Sequence, residues 1–128
     1  MRFFKVITTF AILTLSSSNV FAGDGEIVEW VPFVVKDGIN SEKLISAAQK
    51  VESGFLKHQK GYIKRALLKG KDSNWVDVVY WKTEKDADAA ATVANQSPIC
   101  FEFFSLMKDI DHAASSAVQH YKVIRSWQ

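Results

Sequence analysis

With a single cysteine, Cys100, the chain can form no internal disulfide and no multi-cysteine zinc or iron–sulfur site. It also lacks an excess of charge. Sixteen Lys and Arg against fourteen Asp and Glu leave +2, too little for nucleic-acid binding without a concentrated basic face. Low-complexity tracts, linkers and repeats are absent too. The longest apolar run near the start, Val6–Leu15, is about half the ~20 residues that span a bilayer. What remains is 128 residues, 48% hydrophobic with four tryptophans: one domain's length, with enough large apolar side chains to fold around one core.

That apolar run sits in a recognisable setting. Arg2 and Lys5 precede it, Ser16–Asn19 follow it, and Val20-Phe21-Ala22 place compact residues at −3 and −1. This is the layout of a secretory signal peptide cleaved after Ala22. Residues 1–22 are therefore expected to be a leader and 23–128 the mature domain, exported to the periplasm or the medium. Because the leader holds two basic residues and no acid, the mature 106 residues balance at fourteen of each sign. Export makes Cys100 a lone thiol in an oxidising compartment, which favours a buried, inert position.

Along the mature chain the pattern alternates. Ile27–Lys36 is rich in β-branched and aromatic residues and reads as a strand, although Pro32 cannot donate to a ladder. Asn40 or Ser41 can cap a helix whose apolar face is Leu44, Ala48, Val51 and Phe55, ending with His58 near the terminus and Gly61. Tyr62–Lys69 and Trp75–Lys82 are strand-like runs around Gly70–Asn74, a hairpin signature. Thr83 begins a capping box for an alanine-rich helix to about Asn95, and Ser97-Pro98 starts a short one. A polar loop, Lys108–Ser116, leads to a last strand from about Val118 to Trp127. The order is that of an α+β, ferredoxin-like split βαβ with a four-stranded antiparallel sheet. Val28-Glu29-Trp30-Val31 and Val76–Trp81 are apolar on both faces, so the sheet needs cover on its second face, which a homodimer would supply.

Taken together, this order, the Trp81-Lys82-Thr83-Glu84 junction and the alanine-rich helix resemble the antibiotic biosynthesis monooxygenase-like domains of the dimeric α+β barrel superfamily. The similarity runs from about Ile27 to Trp127 and includes Glu29, Phe33, Gly38, Gly61, Arg65, Trp75-Val76-Asp77, Trp81, Pro98, Phe104 and His120-Tyr121. It implies a dimeric α+β barrel with a pocket between sheet and helices, and a pocket-facing role for Trp81. The superfamily contains oxygenases, haem-degrading enzymes and members of unassigned function, so the fold does not fix the activity.

Strand parity then nominates site residues. A hairpin closing around Lys71 or Asp72 places Ile63, Arg65, Leu67 and Lys69 on one face with Trp75, Asp77, Val79 and Trp81. Arg65 could orient an oxyanion, Asp77 could take a proton, and Trp81 and Trp75 could wall an aromatic ring; equally, Arg65 and Asp77 could be a cross-strand ion pair. His120 could be a general base or a satisfied strand histidine. Glu29 could be a pocket acid or an edge charge. Asp109, Asp111 and His112 are more simply a solvated loop than a metal site. The six Lys and Arg of 57–71 suit an edge strand.

Three functions follow. The first is a cofactor-free monooxygenase of a small aromatic or quinol-like substrate, with Asp77 or His120 catalytic, Trp81, Arg65, Glu29 and Trp75 around the substrate, and no cofactor or metal. The second is a non-catalytic exported module that binds a small apolar ligand or assembles. The third, haem degradation, is weakened because the first strand has no Asn and Glu84–Asn95 has no His. Nucleic acid, and a membrane once the leader is removed, are not expected partners.

Overall fold

The computed structural model describes residues 23, 25–109 and 118–127. Residues 1–22, expected to be a leader, and positions 110–117, with Asp111 and His112, lie outside them. The elements are β1 (Ile27–Val34), α1 (Ser41–Gly54) followed by a 3-10 turn (Leu56–His58), β2 (Tyr62–Lys69), β3 (Asn74–Trp81), α2 (Glu84–Ala94), α3 (Pro98–Phe104) and β4 (Gln119–Lys122). The four strands form an antiparallel sheet in the order β2-β3-β1-β4, the split βαβ arrangement expected from the sequence.

The local chemistry of the helix starts is as read. The Asn40, Thr83 and Ser97 side chains each accept from the backbone N–H three residues on, and Pro98 takes the first turn of α3. Gly61, at φ +78°, turns the chain into β2. Its missing side chain matters for a second reason: a Cβ there would collide with the Asp86 carboxylate.

Parity sorts the strands into two faces. Ile27, Glu29, Val31 and Phe33 of β1 share the helix-covered face with Trp75, Asp77, Val79 and Trp81 of β3, because Ile27 pairs with Trp81 and Phe33 with Trp75. Leu44, Ala48, Val51 and Phe55 bury the face of α1 against them, joined by Cys100 and Phe103 of α3. The opposite face carries Val28, Trp30, Val34, Val76, Val78 and Tyr80. Of these Val78 is buried by its neighbours, whereas Val34 stays 37% exposed, as do Leu68 (42%) and Tyr121 (54%) along the flanking strands.

Three details differ from the sequence reading. A bulge between Tyr62 and Lys64 puts Tyr62, not Ile63, opposite Trp81. The last strand is four residues long: pairing continues through Val123 to Glu26 and Gly25, and past that β1 offers no partner. Pro32 lies in an inner strand, exposed and opposite Val76; β4 reaches only to Trp30, so among the described residues no strand pairs with β1 on that flank where the proline sits.

Candidate functional site

Between the sheet and α1, α2 and α3 lies a cavity of about 330 Å³. The alanine-rich sequence of α2 explains why there is room. Ala87, Ala90, Ala91 and Ala94 present methyl groups where larger side chains would fill the space. Val51, Phe55, Phe103, Phe104 and Met107 complete an apolar lining. Polar groups enter from the sheet at two places.

The first is Arg65 and Asp77, neighbours on β2 and β3 that the register brings onto one face. Arg65 Nε and Nη2 each donate to one Asp77 carboxylate oxygen at 2.7 Å, and Nη1 donates to the Ala48 carbonyl of α1 at 2.7 Å. Its guanidinium also lies over the Phe103 ring, 5.1 Å from the centroid. Both side chains are nearly buried. Burial works against the Arg65 charge, but Asp77 outweighs it and raises the guanidinium pKa further. Three of the five Arg65 N–H groups are thus engaged inside the protein, and each Asp77 oxygen accepts one of them.

The second is Glu29 and His120. They stand directly opposite each other on β1 and β4, and His120 Nε2 is 3.1 Å from Glu29 Oε2. Burial pushes the Glu29 carboxyl above its ordinary value; the hydrogen bond and charge of His120 oppose this without cancelling it. On its other side His120 Nδ1 faces α2, 3.5 Å from Glu84 Oε1 and 4.0 Å from Asp88 Oδ1. An Nδ1–H directed at those carboxylates leaves one proton to be shared between Nε2 and Glu29, as acid with imidazole or carboxylate with imidazolium.

Trp81 joins the two clusters. It is 1% exposed, lines the cavity and meets Tyr62 edge-on at 5.9 Å. Its indole N–H lies near enough to Glu29 to favour the charged carboxyl, yet makes no hydrogen bond to any described residue. A buried donor without an acceptor among the described residues is costly, and the residue that carries it lines the cavity near Glu29. Tyr62 in turn donates to both oxygens of Glu52 at 2.7 Å, and its hydroxyl pKa is raised, mainly by burial.

Of the sequence-nominated residues, Glu29, Arg65, Asp77, Trp81 and His120 all line this cavity. Trp75 does not; it is buried at the hairpin end, with the Lys69 ammonium 5.5 Å from its ring centre, beside a separate shallow concavity. Cys100 is buried on the cavity wall, where burial raises its pKa and keeps the thiol protonated. His58 bonds the Ser53 carbonyl at the end of α1. Sequence reasoning weighed Glu29 and His120 singly and missed that they form a pair. The signal was available, since a ferredoxin-like order makes the first and last strands neighbours. Among the described residues, no group of three or more His, Cys, Asp or Glu is arranged to hold a metal ion, and no helix is long and apolar enough to cross a membrane.

No family model and no curated protein matches the chain. Its fold is nevertheless that of solved antibiotic biosynthesis monooxygenase-like structures. One is SnoaB, a cofactor-independent oxygenase from Streptomyces nogalater (TM-score 0.58, 15% identity, 81% of this chain and 96% of that one). Another is a protein provisionally named an antibiotic biosynthesis monooxygenase, from Bordetella bronchiseptica (0.54, 16%, 81% and 100%). A third is a haem-degrading protein from Mycobacterium tuberculosis (0.51, 14%, 80% and 99%).

Proposed function

We propose that the chain is an exported, homodimeric monooxygenase that oxidises a small aromatic or quinol-like substrate without a cofactor. The observation that carries this reading is the partly desolvated Glu29–His120 pair facing an apolar cavity beside the unpartnered N–H of Trp81. Asp77 is a poor base here, because Arg65 holds both its oxygens. Glu29–His120, once it has lost its shared proton, is the better one.

The chemistry asks little more of the protein. A phenol gives its hydroxyl proton to the pair and, as the phenolate, one electron to O2. The ring-carbon radical and superoxide join, the peroxide anion takes the proton back from the pair, and loss of water from the C–H hydroperoxide leaves a quinone carbonyl. In this reading Trp81 N–H donates to the substrate oxygen on which negative charge collects. Export is supported by the leader pattern of residues 1–22, and the dimer by the apolar second face of the sheet, exposed at Val34, Leu68 and Tyr121.

The test is oxygen uptake, with isotopically labelled O2 followed into product, by mature protein supplied with a panel of one- to three-ring phenols and hydroquinones. Uptake above the spontaneous rate should fall at least 100-fold in His120→Ala. Ligand binding without any such uptake would instead establish the non-catalytic binding module.

A further inference from the structure

The cavity's charges are unevenly distributed. Arg65, the one Lys or Arg on its wall among the described residues, is neutralised by Asp77 and spent on the Ala48 carbonyl. At the other end Glu29 and Asp88 line the cavity, and Glu84 stands beside them against His120. Glu84 and Asp88 are mostly exposed, which puts this end of the cavity at its mouth. Three carboxylates therefore converge on one imidazole, and no unpaired Lys or Arg lines the wall to offset them. The buried Trp81 N–H, without an acceptor among the described residues, lies beside Glu29 at the same end.

We propose that this cavity selects its ligand by charge, taking a small ring compound that bears an ammonium or similar cationic group and rejecting anionic ones. The inference rests on the small-molecule reading of the site given above and deepens it. A carboxylate or phosphate would enter against Glu29, Asp88 and Glu84 with no free guanidinium to receive it. An ammonium would be drawn to those carboxylates, while its ring filled the space over the α2 alanines and a ring oxygen accepted from Trp81. At about 330 Å³ the space lies near the lower bound for ligand sites, which suits one or two rings.

Three probes of nearly equal shape separate charge from fit: tyramine, its neutral alcohol counterpart tyrosol, and 4-hydroxyphenylacetate. Their binding to the mature protein is read at the Trp81 indole N–H resonance, assigned by its absence from Trp81→Phe. Tyramine is expected to bind about fivefold or more tightly than tyrosol, and 4-hydroxyphenylacetate more weakly than both. In Asp88→Asn combined with Glu84→Gln, two exposed positions where folding is not at stake, the tyramine-to-tyrosol ratio should fall towards one. A tyramine affinity no higher than tyrosol's, an anion that binds as well as tyrosol, or a ratio untouched by the double variant overturns charge selection alone. If none of the three binds, the cavity is not a ligand site of this kind, and the proposed function falls with the inference.

Discussion

Glu29 and His120, 91 residues apart in the chain, meet across the β1–β4 ladder with 3.1 Å between carboxylate oxygen and imidazole nitrogen. Desolvation favours the protonated form of Glu29, so the pair holds its proton more firmly than an exposed carboxylate would. The consequence for stability has a definite sign. Because the folded-state value lies above the ordinary 4.5, the stability contributed by protonated Glu29 is present below about that pH and lost as pH rises through the folded value. Glu29→Gln should therefore be more stable than the parent at neutral pH, with the advantage shrinking towards pH 4. Thermal melts across that range read the difference; a constant offset would refute the desolvation account. Under the proposed function the same variant should also lose the oxygen uptake, since that reading needs the charge that folding disfavours.

Trp81 offers a cleaner separation of packing from binding. Trp81→Phe keeps an aromatic ring in place but removes the N–H together with three heavy atoms of a fully buried side chain. Lost packing and relief of a buried donor without an acceptor, the latter about 1–3 kcal/mol, act in opposite directions, so stability should change little. Ligand affinity should nonetheless drop about tenfold, about 1.4 kcal/mol. Parallel loss of both would return Trp81 to the core.

Arg65 and Asp77 predict the opposite pattern. Truncating one partner leaves a buried charge, so Arg65→Met should cost about 3–5 kcal/mol in denaturant unfolding. Asp77→Leu added to it should recover much of that loss. If the single variant were nearly neutral, the pair would be a binding element rather than a structural one.

The apolar second face of the sheet gives an assembly prediction. Mature protein should sediment as a dimer at micromolar concentration. Val34→Lys, an exposed position on that face, should shift it towards monomer without changing the helix-side core. A parent that is monomeric under those conditions excludes the sheet-on-sheet dimer.

Much of this was legible in the sequence because period and parity are local. The α1 face from Leu44 to Phe55, the caps at Asn40, Thr83 and Ser97, and the common face of Arg65 and Asp77 all follow from spacing. Spacing could not say whether Arg65 was free, because that depended on the Ala48 carbonyl arriving from another element. Nor could it place Tyr62 opposite Trp81, since a bulge changes register without an unambiguous residue signal. Glu29 with His120 was hidden for a simpler reason: the sheet order pairs them, but the register of a four-residue strand is weakly marked.

The three hydrogen bonds of Arg65 also have a mechanical meaning. They lash β2, β3 and α1 into one stiff partition, whereas the facing partition is a row of methyl groups on α2. Packing of that kind yields before charge-assisted hydrogen bonds do. Methyl groups on one side and a braced ion pair on the other make the two walls unequal: a guest too large for the resting space presses first on the softer packing of α2.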